Sequence, residues 1–267
     1  MRLVLVGCGN MGHAMLKGWL ASGTVAPADI LVVEPGEALR SRAAALGVST
    51  GADAATVAAF APQLVVLAVK PQVMRDAAAA YRPLAAGGTV FLSIAAGISS
   101  EALKDMLAGA PILRCMPNTP AAIGKGLMAL YATADVPAPM RDFVERLLGA
   151  NGVVAPIADE EQMHAVTALS GSGPAYVFHF IEALTAAGEK AGLPAEAAAT
   201  LARQTVYGAA CLAFDSDETP GRLREQVTSP NGTTAAALSV LMGEERLTRL
   251  VTEAVEAARR RSVELGN

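Results

Sequence analysis

The chain has 267 residues, a formal net charge of −4 and 52% hydrophobic residues, while only 4% of the chain is aromatic. This length suffices for one large domain or two smaller ones, each with its own core. The high apolar content excludes a disordered chain. The slightly acidic balance, with no run of basic residues longer than three, gives no indication of a nucleic-acid-binding surface, so we expect no nucleic-acid partner.

Three cysteines lie far apart, at positions 8, 115 and 211, and no CxxC motif occurs. This spacing is typical of free thiols in a reducing compartment and predicts a cytoplasmic protein. The longest apolar stretch that could be taken for a membrane span, 163–181, has no acidic or basic residue except two histidines. A Ser-Gly-Ser-Gly-Pro segment interrupts it. Such a break argues against a membrane-spanning helix, so we expect no membrane association.

The chain begins with an apolar run at 3–6 that predicts a strand, then a glycine-rich turn, then a helical pattern at 13–21. The residues of the turn are Gly7, Gly9, Asn10, Met11 and Gly12. Strand, GxGxxG turn and helix in this order favour a dinucleotide-binding site. The first glycine permits the tight turn, the second admits a pyrophosphate close to the backbone, and the third lets the helix pack closely on the strand. Phosphate would then lie at the helix N-terminus.

A second buried strand pattern, 30–34, ends in Glu34. An acidic residue about 20 positions after the last glycine can accept hydrogen bonds from the adenosine ribose hydroxyls, which favours NADH over NADPH. Arg40 and Arg42 follow closely and could instead hold a 2′-phosphate. Both cofactors therefore stay candidates, and Glu34 could also be a solvated carboxylate at a strand end.

Three further apolar runs, at 63–69, 89–94 and 111–115, predict strands whose ends carry small or polar residues. Open α/β sheets bind ligands at the carboxyl ends of their strands. Small residues there let a flat ring come close, and an asparagine offers both a donor and an acceptor. The candidate cofactor-site residues at these ends are Ala68, Val69, Lys70, Pro71, Ala96 and Asn118. A surface lysine and a plain turn remain alternatives for Lys70 and Asn118.

The alternation of strands and helices continues to about residue 157 and implies a parallel, doubly wound, Rossmann-like sheet, hence an α/β protein. After Pro156 only helical patterns follow, the first predicted to run from an Asp159 cap to about 169. We therefore predict two domains, 1–157 and 158–267, the second all-helical. Its alanine-rich helix at 196–213 carries few charges on any face and needs burial, which a partner subunit could provide.

Two segments carry a resemblance to a known family. Residues 168–176 read Ala-Leu-Ser-Gly-Ser-Gly-Pro-Ala-Tyr, and residues 228–234 read Thr-Ser-Pro-Asn-Gly-Thr-Thr. Together with the glycine turn, Ala-Val-Lys-Pro-Gln at 68–72 and Met-Pro-Asn-Thr-Pro at 116–120, they resemble pyrroline-5-carboxylate reductase over nearly the whole chain. The first two segments are specific to this family, whereas many dehydrogenases share the glycine turn.

The resemblance implies a Rossmann domain that binds NADPH or NADH, followed by an all-helical dimerisation domain. It implies a homodimer in which each active site is built with help from the partner's helices, and higher assemblies of dimers occur in the family. The implied reaction is the reduction of the small-molecule substrate 1-pyrroline-5-carboxylate to L-proline, the last step of proline biosynthesis.

The resemblance also assigns site residues. The hydroxyl of Thr167, the catalytic candidate, would hydrogen-bond to the ring nitrogen, and the 68–71 loop and Asn118 would line the cofactor site. The substrate carboxylate would be bound by Ser229, Gly232, Thr233 and Thr234. The residues themselves support this last assignment, because hydroxyls, backbone N–H groups and a helix dipole can converge on one anion. An imine protonates readily, so no catalytic His or Cys is required, and the scattered histidines lack metal-ligand spacing.

Asn231 departs from the family pattern, which usually has two glycines after the proline of this segment. Asparagine tolerates left-handed backbone, so we expect the loop to keep its shape, with substrate affinity in question. Two other functions stay open. A β-hydroxyacid-type dehydrogenase would need a catalytic lysine in the second domain, but Lys190, the only lysine after Lys125, lies beside the helix-ending Gly192. A dinucleotide sensor would need the glycine turn without the hydroxyl cluster.

Overall fold

The structure is a computed structural model, and it describes residues 1–266. Contacts divide the chain into two compact units. The first, here called the sheet unit, holds Met1–Ser172 and returns from Ala258 onwards, and the second, the helical unit, holds Gly173–Ala257. The last strand ends at Pro156, where strand patterns stop in the sequence. The functional boundary between 157 and 158 stays a prediction.

The sheet unit is built on an eight-stranded sheet with the order β3-β2-β1-β4-β5-β6-β7-β8. Every neighbouring pair is parallel except one. The strands are β1 Leu3–Val6, β2 Ile30–Val33, β3 Ser49–Gly51, β4 Leu64–Leu67, β5 Val90–Ser93, β6 Ile112–Pro117, β7 Gly126–Ala132 and β8 Gly152–Pro156. This is the predicted Rossmann-like α/β architecture, in which the carboxyl ends of β1, β4, β5 and β6 meet at one edge.

The predicted parallel sheet has one exception, because β6 and β7 run antiparallel, with Cys115 opposite Leu130. Their connection, 118–125, contains only a short 3₁₀ turn, Thr119–Ile123. A parallel crossover needs about a dozen residues or more, so this connection returns the chain in the opposite direction. The loop after β6 therefore lies at the same edge as the ends of the parallel strands.

Both faces of the sheet are covered, as the continuous apolar strands require. Successive side chains of β1 point to opposite faces. Leu3 and Leu5 belong to a core cluster that contains Trp19, whereas Val4 and Val6 belong to a second cluster. The helices that cover the faces are α1 Asn10–Ala21, α2 Glu37–Ala44, α3 Val57–Phe60, α4 Met74–Ala79, α5 Ser100–Met106 and α6 Ala138–Gly149.

The segment after the sheet differs from the predicted helix. α7 begins at Gln162 and ends at Val166, and the carboxylate of Asp159 accepts a hydrogen bond from the Glu161 N–H instead of capping a helix. The chain then passes through one widened helical turn, Thr167–Gly171, here called the π-turn. In it the Ser172 N–H donates to the Thr167 carbonyl at 2.9 Å. The Ser-Gly-Ser-Gly-Pro segment therefore makes a local widening of the helix.

The helical unit exposes most of its apolar side chains. Its helices are α8 Gly173–Lys190, α9 Ala195–Asp215, α10 Pro220–Gln226, α11 Thr233–Met242 and α12 Arg246–Glu264, whose last residues belong to the sheet unit. Only Ala198 and Ala202 of α9 are buried, so the burial predicted for this helix is not provided by the single chain. Among residues 1–266, no helix combines the length and apolarity needed to cross a bilayer.

Candidate active site

Two glycines of the turn after β1 are required by the protein's own packing. Gly7 has a φ of +87°, and a Cβ there would lie 2.7 Å from the Ala68 carbonyl oxygen. A Cβ on Gly12 would lie 2.5 Å from the Gly7 carbonyl oxygen. A side chain at either position would therefore separate β1, α1 and the end of β4, as predicted from the motif.

Gly9 is different, because nothing in the folded chain requires a glycine there. Its φ is −62°, which any residue can adopt, and no protein atom lies within 4 Å of the position of a Cβ. Gly9 is the N-cap of α1, which has no side-chain cap and no acidic residue in its first turn. The first N–H groups of a helix have no intrahelical partner. The space and the donors therefore suit a phosphate held against the backbone.

A cleft of about 320 Å³ opens beside Gly9. It is formed by the start of α1 and by the residues that follow β4, β5 and β6, as expected for a ligand site at the carboxyl edge of the sheet. The structure brings together these predicted residues: Gly9, Asn10, Met11, Gly12, Ala68, Val69, Lys70, Pro71 and Ala96. Four residues missing from the prediction also line it, namely Ile94, Ala95, Met116 and Pro117. Their place at strand ends is the signal that identifies them.

Glu34 lies outside this cleft and supports the glycine turn. Its side chain is buried, with 7% of the residue exposed. One carboxylate oxygen accepts a hydrogen bond from the Cys8 N–H at 2.7 Å, and the other accepts one from the Gly36 N–H at 2.9 Å. Burial raises the pKa of the Cys8 thiol, so this side chain stays neutral in the turn. The Glu34 carboxylate therefore binds one backbone N–H of the glycine turn and one of the loop after β2.

Two arginines of α2 also contact this region. Arg40 donates to the Glu34 and Pro35 carbonyls, both at 2.9 Å. Arg42 donates to the Cys8 carbonyl at 2.9 Å, and its Nε is buried without a hydrogen-bond partner among the described residues. A cationic group therefore lies directly beside the carbonyl groups of the glycine turn, on the side of β2.

Asn118 is also absent from the lining of the cleft, and its amide is used inside the protein. The side-chain oxygen accepts from the Leu127 N–H at 2.9 Å. The side-chain nitrogen donates to the carbonyl and the hydroxyl of Ser170, at 3.3 and 3.2 Å. Asn118 therefore connects the loop after β6 with the π-turn. The hydroxyl of Thr167, in the same turn, donates to the Met163 carbonyl at 2.8 Å.

A second connection holds the start of α7. Glu160 accepts hydrogen bonds from Arg114 of β6 at 2.6 Å and from the N–H and hydroxyl of Ser100 of α5. Burial alone would raise the pKa of Glu160, but the hydrogen bonds from Ser100 and Arg114 outweigh it and hold the pKa below its ordinary value of 4.5. The carboxylate is therefore ionised at neutral pH and paired with the buried Arg114.

The predicted substrate residues lie together at the start of α11, in the helical unit. Gly232 is the N-cap of α11 and provides no side chain, and Thr233 and Thr234 form its first turn. A Cβ on Gly232 would lie 2.4 Å from the Ser229 hydroxyl, so glycine is required for this arrangement. Asn231 has a φ of +58°, as expected for the residue that replaces a glycine. The cluster therefore presents hydroxyls around a helix N-terminus.

Comparisons with known proteins identify the family of this chain. A curated pyrroline-5-carboxylate reductase from Pseudomonas aeruginosa is 41% identical over 99% of this chain and 96% of its own length. The chain belongs to the pyrroline-5-carboxylate reductase family. The family model for pyrroline-5-carboxylate reductase dimerisation matches residues 160–265, and one described as NADP oxidoreductase coenzyme F420-dependent matches residues 2–97.

Solved structures of this family are similar over the whole chain. A pyrroline-5-carboxylate reductase from Coxiella burnetii superposes with a TM-score of 0.92 at 33% identity, covering 100% of this chain and 98% of that one. A pyrroline carboxylate reductase from Plasmodium falciparum with NADP bound superposes with a TM-score of 0.87 at 28% identity and the same coverage. In the present chain, residues 1–266 contain no group of three or more His, Cys, Asp or Glu side chains that could hold a metal ion.

Proposed function

We propose that this chain reduces 1-pyrroline-5-carboxylate to L-proline with NADPH or NADH, the last step of proline biosynthesis. The observation that carries the proposal is the likeness to curated pyrroline-5-carboxylate reductases over 99% of the chain. The free space at Gly9 and the hydroxyl cluster at α11 give it a physical basis, since a dinucleotide and a small anion are the ligands that such sites suit.

The residues of the sheet unit fit a nicotinamide cofactor. The N–H groups at the start of α1 would hold its pyrophosphate, and the apolar cleft between Ala68, Ala96 and Met116 would hold flat, weakly polar groups. When bound, the reduced nicotinamide supplies the hydride. The preference between NADH and NADPH stays open, since Glu34 would favour a free ribose and Arg40 or Arg42 could hold a 2′-phosphate.

The substrate carboxylate would be bound at the start of α11. Ser229, Thr233 and Thr234 supply hydroxyl donors, and the first N–H groups of α11, which follow the N-cap Gly232, have no partner within the helix. Hydrogen bonds from these groups to an ionised acceptor are stronger than neutral ones, and the helix dipole adds to them. This assignment explains why three hydroxyl residues surround one helix N-terminus.

Thr167 would contact the ring nitrogen of the substrate. Its hydroxyl proton is directed to the Met163 carbonyl, so the hydroxyl oxygen has lone pairs available for an N–H donor. A protonated imine carries such an N–H, and its positive charge makes the adjacent carbon the better hydride acceptor. Thr167 would therefore orient the protonated substrate without acting as a strong acid.

The protein forms a homodimer, in keeping with the dimerisation family model. We place the contact on the apolar groove of the helical unit, which has a volume of about 740 Å³ and is lined by Tyr176, Phe180, Val206, Leu250 and Val251, among others. A groove of this size and composition is typical of a surface that a second subunit covers. Larger assemblies of dimers and a cytoplasmic location are further proposals.

The test is a rate measurement with purified protein. Oxidation of at least one of NADPH and NADH, followed by its absorbance, should depend on added 1-pyrroline-5-carboxylate. The ratio of the two rates gives the cofactor preference. Absence of turnover with both would reject the function. Thr234→Ala should raise KM for 1-pyrroline-5-carboxylate and leave the cofactor Kd nearly unchanged, whereas an unchanged KM would reject the substrate site.

A further inference from the structure

The π-turn has a hydrogen-bonding requirement that its own helix cannot meet. In a regular helix the Ser170 carbonyl would accept from the N–H four residues later, but that residue is Pro174, which has no N–H. A buried or half-buried carbonyl without a donor is costly. The side-chain nitrogen of Asn118 lies 3.3 Å from this carbonyl and 3.2 Å from the Ser170 hydroxyl.

The orientation of the Asn118 amide is fixed by its other end. Its oxygen accepts from the Leu127 N–H at 2.9 Å, so the nitrogen must point towards Ser170. The backbone of β7 therefore sets the position of the donor, and the donor sets the position of the π-turn. All of these contacts lie within the sheet unit.

Packing adds a second constraint at the same turn. A Cβ on Gly171 would lie 2.5 Å from Cε of Met116, so the π-turn approaches the end of β6 closely. Met116 and Pro117 line the cofactor cleft, whereas Asn118 does not. The π-turn is thus fixed to the residues that form one wall of the cleft. Single π-turns in helices occur frequently at functional sites.

We propose that Asn118 is a positioning residue: its amide holds the π-turn at the end of β6 and so fixes the place of the Thr167 hydroxyl. This inference rests on the proposed function for the role of Thr167. The sequence predicts that Asn118 contacts the cofactor. In this proposal Asn118 instead acts indirectly, by holding the π-turn in place. A displacement of about 1 Å at a reacting group can lower the rate roughly a hundredfold, so the clamp has a kinetic consequence.

The test compares Asn118→Asp with the wild-type full-length protein. The aspartate keeps the acceptor for Leu127 N–H but presents an oxygen to the Ser170 carbonyl. We expect kcat/KM for 1-pyrroline-5-carboxylate at saturating NADPH to fall at least about tenfold, while the NADPH Kd from fluorescence changes less than about twofold. Ser170→Ala, which keeps the carbonyl acceptor, should lose only about threefold.

A second variant approaches the same turn from the other side. Gly171→Ala presses on Met116, which lines the cleft, and should lower kcat/KM for the imine at saturating NADPH at least about tenfold, whatever the change in the NADPH Kd. If the NADPH Kd rises about tenfold in Asn118→Asp and kcat/KM at saturating cofactor stays constant, Asn118 is a cofactor contact and the proposal is wrong. A lower Tm with unchanged kinetic constants would overturn it as well, because the residue would then serve only stability.

Amide hydrogen exchange separates this inference from the proposed function. Exchange at residues 167–172 should be at least about tenfold faster in Asn118→Asp than in the wild type, whatever reaction the enzyme performs. Unchanged exchange there would overturn the clamp even if the wild type is an active reductase. Faster exchange in a protein without reductase activity would keep the clamp and reject the function.

Discussion

The sheet unit and the helical unit bury their apolar side chains in opposite ways. In the sheet unit, Trp19 and Phe91 are 0% and 1% exposed, and both faces of the sheet have their own core. In the helical unit, Tyr207 and Phe214 are 64% and 79% exposed. Monomeric proteins rarely expose contiguous apolar surface of this kind. The sheet unit is therefore stabilised by its own core, whereas the helical unit leaves apolar side chains exposed that the proposed dimer contact would cover.

The two units also present different groups to the ligands proposed for them. The cleft at the strand ends, proposed for the cofactor, is formed mainly by backbone and small side chains, whose places are fixed by the sheet. The start of α11 presents three hydroxyl side chains, one on the preceding loop and two in the first helical turn. Ser229 and Thr233 are exposed in the single chain. Subunit pairing should therefore influence the second site much more than the first.

The largest effect should come from a charge in the helical groove. Phe180 of α8 lines the groove and is 44% exposed. Phe180→Glu should raise the dimer Kd by about a thousandfold, about 4 kcal/mol, because an interface aromatic is lost and a carboxylate must be desolvated. Analytical ultracentrifugation measures this.

Ile123→Glu is the control, because Ile123 is 77% exposed but lies on the sheet unit. It should leave the dimer unchanged. If Ile123→Glu dissociates the dimer and Phe180→Glu does not, the assignment of the two surfaces is reversed.

The next effect concerns the cleft. Gly9→Ala should weaken NADPH binding by about a hundredfold, about 2.7 kcal/mol, because the methyl group occupies the space of the pyrophosphate. The free energy of unfolding should change by less than about 0.5 kcal/mol, since the new Cβ meets no protein atom. Isothermal calorimetry and urea unfolding measure the two quantities.

Gly7→Ala is the matched comparison, because it places a Cβ 2.7 Å from a carbonyl oxygen at a φ of +87°. It should destabilise the sheet unit strongly. Equal loss of stability in the two variants would show that Gly9 is needed by the fold and not by a ligand.

A smaller effect is expected for the carboxylate at the start of α7. The pKa of Glu160 is lower in the folded chain than its ordinary 4.5, so the unfolded chain binds the proton more readily. The stabilisation that the ionised Glu160 gives the folded chain is therefore complete above pH 4.5. It is lost as the pH falls through the pKa that Glu160 has in the folded chain. Glu160→Gln should lower the free energy of unfolding by about 2 kcal/mol at pH 7, with a decreasing difference below pH 4.5.

Urea unfolding at pH 7, 5 and 4 gives this dependence. Glu264→Gln, which removes an exposed pair with Arg261, should change the stability by less than about 0.5 kcal/mol. A difference between Glu160→Gln and the wild type that stays constant with pH would contradict the ionised pairing with Arg114.

The smallest effect is expected at Asn231, whose backbone is left-handed. Asn231→Gly, the usual family residue, should change KM for 1-pyrroline-5-carboxylate by less than about twofold, because glycine adopts this conformation freely. Asn231→Ala should cost about 1 kcal/mol in stability and raise KM. Steady-state kinetics and thermal unfolding of both variants decide this, and a large change in Asn231→Gly would mean that the Asn side chain itself contacts the substrate.

Local patterns were sufficient to predict part of the site. The glycine turn is encoded within six consecutive residues, and each strand end can be found from its own apolar run, so the cleft residues follow from the sequence. The direction of β7 does not, because it depends on the short connection 118–125 and on no feature of the strand itself.

The hydrogen-bond partners of side chains that bind residues far away in the sequence could not be predicted either. Glu34 has the residue type and position of a ribose ligand, and its hydrogen bonds to Cys8 and Gly36 become visible only when the turn folds over β2. Asn118 meets Ser170, a residue 52 positions away. The glycines and Pro174 of the later segment indicated a helix break, and only the structure distinguishes a break from a widened turn.

The last residues of α12 give the chain an unusual connectivity. From Ala258 onwards this helix belongs to the sheet unit. There Ser262 is buried, and its hydroxyl oxygen lies within hydrogen-bond distance, 3.0 Å, of Nδ1 of His164. The helical unit is thus an insertion between two pieces of the sheet unit, not an appendage at its end. After a single proteolytic cut near residue 172, the two fragments would still be held together by the packing of the last residues of α12 in the sheet unit. Separating the helical unit from the sheet unit therefore requires two cuts.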